Sequence, residues 1–314
     1  MDNITHGLLG IAIGMLRRRD GGPEADRPLS HTDKAVAWAT FAAAELPDAD
    51  VFIPGNAMTY LDLHRSWTHA VVLAPVVAAI ATLGTKLVWK QAKVSTVYGW
   101  SLASVLIAHL FNDWLTGWGT RLLLPFSYAK LGLDWVPIVD LFFLVPLAAA
   151  VWLARRAPAK RRRYATAVLT FLAVYAVGYR GIAHTLASQQ VANHYEGQPV
   201  ARLQVSPNMF NPLAWQYAVD LGDRYEQGAV YPWGLSGDVT ATAKAPVDDP
   251  VIKAVRSAPE VKPFFDHFKF PAITYDSSGE GYIITLSDIR YRMRGGSMTY
   301  SVTMTPDFKV SGVK

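Results

Sequence analysis

Four stretches of the chain contain no Asp, Glu, Lys or Arg: Ser66–Thr85, Val94–Asn112, Leu141–Ala154 and Tyr164–Tyr179. A hydrocarbon core of ~30 Å is crossed by about 20 mainly apolar helical residues. The first two stretches supply that length alone. The third gains Ile138 and Val139, and the fourth continues past Arg180 into Gly181, Ile182 and Ala183. Two shorter runs, Ile4–Leu16 and Ala35–Ala44, suit tilted, re-entrant or bundle-packed helices. The pattern predicts an α-helical polytopic membrane domain with four long and two short hydrophobic helices over residues 1–190.

Charge supports the same division. Residues 1–194 carry 18 Lys and Arg against 12 Asp and Glu, whereas residues 195–314 carry 12 against 13, so the basic excess belongs to the apolar part. If every hydrophobic stretch crosses, 14 basic residues fall on one side: Arg17–Arg19, Arg27, Lys34, Lys86, Lys90, Lys93, Arg155, Arg156 and Lys160–Arg163. Only four, Arg65, Arg121, Lys130 and Arg180, lie near the other. Basic loops stay in the cytoplasm, so the N-terminus and everything after about residue 185 are expected outside. Asp2 and Asn3 precede Ile4 without a basic region, so no cleavable signal peptide is expected. The Arg155–Arg163 cluster between two spans reads as a topology signal, and no nucleic-acid partner is expected. With no cysteine, disulfides, thiolate metal sites and thiol nucleophiles are excluded.

Residues 195–314 read as a mainly β (α+β) water-soluble domain. Ala201–Val205, Gly281–Met293 and Met298–Thr305 alternate as antiparallel strands, with Gly295–Gly296 as a turn between the last two. The eight prolines from Pro207 to Pro271 argue against long helices there.

Topology set by Lys and Arg alone brings His6, Glu45, Asp48, Asp50, His64, His69, His109, Asp113, Asp134 and Asp140 to the outer ends of their segments. His109-x-x-x-Asp113 places imidazole and carboxylate on one helix face, able to grip one ion or to bond each other. His64 and His69, five apart, can share a metal only if His64 lies on the incoming loop. Arg65 between them suits bidentate binding of phosphate or carboxylate, or an ion pair with Asp62 or Asp48. Glu45-Leu-Pro-Asp48-Ala-Asp50 reads either as a helix stop with Asx turns or as hard oxygen ligands and a general base. Asp2-Asn-Ile-Thr-His6 alone reads as an N-cap followed by a surface His. His31 is expected in solvent on the cytoplasmic side.

Together, Asp2-Asn-Ile-Thr-His-Gly-Leu, Glu45-Leu-Pro-Asp-Ala-Asp, His64-Arg-Ser-Trp-Thr-His and His109-Leu-Phe-Asn-Asp-Trp-Leu-Thr-Gly-Trp-Gly-Thr resemble the YdjM-like family, inner-membrane-associated proteins inferred to be metal-dependent hydrolases. The resemblance covers about residues 1–185 and continues weakly in the tail. It implies a helical membrane domain carrying a metal site, with a remote similarity to zinc-dependent phospholipase C and P1-type nucleases. The implied ligands are His109, Asp113 and His69, joined by His6, Asp48 and His64. No second helical His-x-x-x-Glu element is present, so the resemblance does not extend to a three-metal centre.

The expectation is a divalent ion, zinc first, held by His and carboxylate at the outer face of an inner-membrane protein. Asp48 or Asp50 would serve as general base and Arg65 or Arg121 would neutralise charge during hydrolysis of a phosphoester, in a lipid or lipid-linked substrate. The alternative is a non-catalytic protein with a structural metal and a partner-binding C-terminal domain.

Overall fold

The computed structural model describes residues 1–17, 29–234, 239–244, 249–293 and 296–313. It divides into two compact units, one of residues 1–52 and 65–182 and the other of residues 53–64 and 183–314. Of the expected basic cluster, Arg18, Arg19 and Arg27 lie outside the described residues.

The first unit is helical. Helix α1, Asn3–Met15, is capped by Asp2, whose carboxylate accepts from the Thr5 backbone N–H at 3.0 Å and the Thr5 hydroxyl at 2.6 Å. Helix α2, His31–Glu45, opens with a Ser30/Asp33 capping box, and Asp33 also pairs with Arg17. The two helices meet along small residues. A Cβ added at Gly10 would lie 2.5 Å from the Thr40 carbonyl oxygen and 2.9 Å from the Ala44 Cβ, and one at Gly14 2.6 Å from the Thr40 hydroxyl. Such close backbone approach is how helices associate where lipid offers no hydrophobic drive.

After α2 the chain tightens into a 3₁₀ segment, Leu46–Phe52, which carries Asp48 and Asp50. Helix α3, Ala57–Leu63, belongs to the second unit. Three helices among the described residues are long and apolar enough to cross a membrane: α4, Val71–Val88; α5, Val94–Leu115; and, after α6, helix α7, Pro158–His194. Helix α6, Leu141–Arg156, has 16 residues and Pro146 inside it, shorter than a full span. On α4, Val72, Val76, Ile80, Leu83 and Leu87 form an exposed apolar stripe, while Val77, Ala78, Ala81 and Thr85 are buried. An exposed stripe of that kind suits lipid. The buried face joins Ala43 of α2 and Val105 and Leu110 of α5 in one core. A second core joins Leu9 and Ile13 of α1 to Leu147 of α6 and Val168 and Leu172 of α7.

In the second unit, Ala183, Ala187 and Val191 of α7 pack with Val205, Trp215, Tyr217 and Val219. These belong to a four-stranded antiparallel sheet, β1 (Arg202–Pro207), β2 (Trp215–Asp220), β3 (Arg224–Val230) and β4 (Val239–Lys244), in sequential order. Short helices α8, Pro250–Ser257, and α9, Lys262–His267, lead to a second meander: β5 (Pro271–Ser278), β6 (Gly281–Met293), β7 (Gly296–Met304) and β8 (Val310–Val313). Ala218 and Tyr225 meet Phe270 and Ile289 in a core common to the two sheets. The strand expected at Gly281–Met293 is present with those bounds, and Met293 pairs with Gly296; Gly295 of the expected turn lies outside the described residues.

A buried His and Asp centre in the helical unit

Four elements of the first unit send side chains to one point. Helix α1 supplies His6, the 3₁₀ segment Asp48, the turn before α4 His69, and α5 both His109 and Asp113. One ligand-capable atom from each of Asp48, His69, His109 and Asp113 lies within 4.8 Å of the others. The His6 ring stacks on His109 with centroids 4.1 Å apart, and its Nε2 is 3.2 Å from Asp113 Oδ1. His6, His69, His109 and Asp113 are fully buried, and Asp48 is 5 % exposed. The surface His suggested by the α1 motif alone is therefore a core residue.

The ring nitrogens facing away from the centre fix what the inner ones offer. His109 Nδ1 lies 2.6 Å from the Ala44 carbonyl and His6 Nδ1 2.7 Å from the Ala108 carbonyl, so each must carry the proton and donate. Thr68 gives its hydroxyl proton to Asp50 Oδ2 at 2.8 Å, which leaves its oxygen to accept from His69 Nδ1 at 2.9 Å. All three Nε2 atoms then turn lone pairs inward. Those of His69 and His109 are 2.9 Å apart, with Asp48 Oδ1 at 3.2 and 3.6 Å and Asp113 Oδ2 at 3.3 and 3.6 Å. Lone pairs and carboxylates this close repel unless positive charge lies among them. Asp113 Oδ2 has no hydrogen-bond donor among the described residues. Imidazoles whose second nitrogen donates to a carbonyl or carboxylate are what bound metals use, and the donor set suits a divalent transition ion.

The electrostatics agree. Burial works against a charged Asp48, yet the neighbouring His69 and His109 override it and hold the carboxyl below its ordinary range. Burial likewise opposes protonation of His69, but Asp113 and Asp48 outweigh it and raise its pKa. The centre draws in positive charge, as a proton or as an ion. Glu45, at the end of α2, is pushed up to about 7, chiefly by burial and against a hydrogen bond from Asn3.

Arg65 closes one side. Its Nη2 is 2.9 Å from Asp113 Oδ1 and its Nη1 3.0 Å from the Thr116 hydroxyl, so its carboxylate partner is Asp113 rather than Asp62 or Asp48. The Met1 amino group also contacts Asp113 Oδ1. The Arg65 backbone is left-handed, φ 59°, a conformation costing a non-glycine residue ~1–2 kcal/mol. It is held by the Arg65 N–H to Asp50 at 3.1 Å and by the Arg121 N–H to the Arg65 carbonyl at 2.9 Å. Asp50 thus fixes both Arg65 and His69.

His64 lies in the second unit, where it ends α3 and its ring stacks on Tyr60 at 4.8 Å. The remaining histidines lie elsewhere: His31 is exposed, and His184 bonds the Val205 carbonyl at 3.1 Å. Thr68, Thr116 and the carbonyls of Ala44 and Ala108 were not read from the sequence. A threonine beside a ligand is too common to signal anything, and a carbonyl has no side-chain signature.

Among proteins of known sequence, the chain is 26 % identical over 306 residues to the uncharacterized protein YfhP of Bacillus subtilis (strain 168), covering 94 % of this chain and 88 % of the relative. No solved structure matches it. A family model matches residues 1–187, the part containing every side chain of the buried centre, and the chain belongs to the YdjM inner membrane protein family.

Proposed function

We propose that this is a membrane-bound, metal-dependent hydrolase acting on a phosphoester in a lipid or lipid-linked substrate at the outer face of the inner membrane. The observation that carries the reading is the inward convergence of three Nε2 lone pairs and two carboxylates on fixed backs. His6, Asp48, His69, His109 and Asp113 would hold the ion, zinc being the first candidate for hydrolysis. A divalent ion there acidifies water toward neutral pH and polarises a phosphoryl oxygen. Asp48 would take the proton if one of its oxygens stays off the ion, with Asp50 as the other candidate base. Arg65 and Arg121 would neutralise phosphate charge. The C-terminal unit would lie outside the cytoplasm, a reading supported by the basic-residue asymmetry if every hydrophobic stretch crosses.

A second reading is favoured by burial. The five side chains of the centre are at most 5 % exposed, which suits a structural ion as well as a catalytic one. Elemental analysis of detergent-purified protein, with assays on phosphoesters, separates the two. Catalysis predicts that His69→Ala, His109→Ala and Asp113→Asn lose metal and turnover together while remaining folded in the membrane. Asp48→Asn that keeps metal but loses ~10²–10⁴ in rate marks a general base. Chelation that unfolds a protein without phosphoesterase activity puts the structural reading first.

A further inference from the structure

Large apolar side chains project from the segments of the first unit that carry this centre. Phe52, 84 % exposed, follows Asp50 on the 3₁₀ segment; Trp67 precedes His69; Leu123, Phe126 and Tyr128 follow Arg121, with Phe126 88 % exposed. Phe126 is held outward by a turn in which the Phe126 and Ser127 N–H groups donate to the Leu123 carbonyl at 2.8 and 3.1 Å.

One hydrogen bond relates part of this surface to an apolar helix. Val71, the first residue of span α4, donates its N–H to the Leu122 carbonyl at 3.0 Å. That bond ties the 122–128 loop to the point where the apolar span begins, and the Trp67–His69 turn runs into the same point. The exposed stripe on α4 starts at Val72, one residue past that bond, and the exposed Leu123 and Phe126 follow Leu122 in the chain. An exposed apolar patch continuous with a lipid-facing stripe belongs at the interface, where aromatic rings concentrate.

We propose that Phe52, Trp67, Leu123 and Phe126 insert into the leaflet adjoining the centre, and that the substrate is a phosphate-bearing amphiphile drawn from that leaflet rather than a water-soluble phosphoester. Insertion stands independently; the substrate class rests on the hydrolase reading above. The headgroup phosphate would meet Arg65 and Arg121 while the chains stay in the leaflet, so the molecule need never leave the bilayer.

The natural absence of cysteine makes the test direct. Single-cysteine variants F52C, F126C and, as control, S277C of the full chain are labelled with nitroxide in phospholipid vesicles. Relaxation by oxygen, which partitions into lipid, is compared with relaxation by a water-soluble nickel chelate. Labels at 52 and 126 should favour oxygen and the label at 277 nickel. Labels at 52 and 126 matching the control overturn insertion. Metal-loaded wild type is then assayed on phosphatidylglycerol and phosphatidic acid vesicles and on p-nitrophenyl phosphate. The F52S/F126S double variant, with metal content unchanged, should lose about tenfold in vesicle turnover while retaining its rate on a dihexanoyl lipid below its micellar concentration. Turnover of p-nitrophenyl phosphate but of neither lipid overturns the substrate class and leaves the hydrolase reading standing. Turnover of none of them overturns both.

Discussion

At the scale of single residues, the side chain that braces two members of the centre at once is Asp50. It accepts from Thr68 and from the Arg65 backbone, and through Thr68 it sets the His69 tautomer. Asp50→Asn is expected to weaken metal affinity by ~10–100-fold, the usual cost of losing a partner behind a ligand, and competition with a chelator measures it. Glu45 gives a pH dependence. Its folded pKa of about 7 exceeds its ordinary value of 4.5, so the folded protein binds the proton more tightly. That contribution is fully present below about pH 4.5 and lost as pH rises through 7. Unfolding followed from pH 4 to 8 should show the stability of wild type falling relative to Glu45→Gln across this window. The sequence disclosed His109 and Asp113, because four-residue spacing on a helix is a geometric statement, and they do share a face. It named His64 too, but not the stacking of that ring on Tyr60 at the end of α3, which pattern alone does not show.

At the scale of elements, α1 and α2 carry His6 and the Ala44 carbonyl that orients His109, so their close approach sets the centre. Gly10→Val forces a side chain against Thr40 and Ala44 and should cost about 1–3 kcal/mol with reduced metal content. Gly84→Ala on α4, where an added Cβ meets nothing within 4 Å, should unfold no earlier than wild type. Thermal unfolding in detergent, with elemental analysis of both variants, checks the contrast. The glycines at 7, 10 and 14 were visible in the sequence, but their partners were not. Helix α5 also holds a surprise for periodicity: Ser104–Phe111 is a π-helix, as is Val174–Arg180 of α7. Such wide turns recur at functional sites, and hydropathy cannot reveal them because they preserve composition. Hydropathy did find α4, α5 and α7, whereas the structure ends α6 at 16 residues.

For the whole molecule, the prediction is orientation. If every hydrophobic stretch crosses, the 14-to-4 split of basic residues predicts a C-terminal unit outside the cytoplasm. A cysteine introduced at Ser277 should react with a membrane-impermeant maleimide in spheroplasts without lysis, whereas one at Ala159, in the basic first turn of α7, should need lysis. Reversal of both would place the centre at the inner face. The boundary between apolar and soluble parts was legible because composition changes there. The pairing order of the two sheets was not, since alternation marks a strand without naming its neighbour.

Two of the three imidazoles are braced across chain segments made at different times. His109 leans on the carbonyl of Ala44, and His6 on that of Ala108. A nascent chain that has not yet reached Ala108 therefore has neither the complete ligand set nor all of the backbone that orients it. Any ion must be acquired after the second long helix has entered the bilayer, and loading reports that α1, α2 and α5 have come together. Newly made protein in metal-starved cells should consequently be clipped faster by membrane proteases than protein made before starvation, a difference a pulse-chase would read.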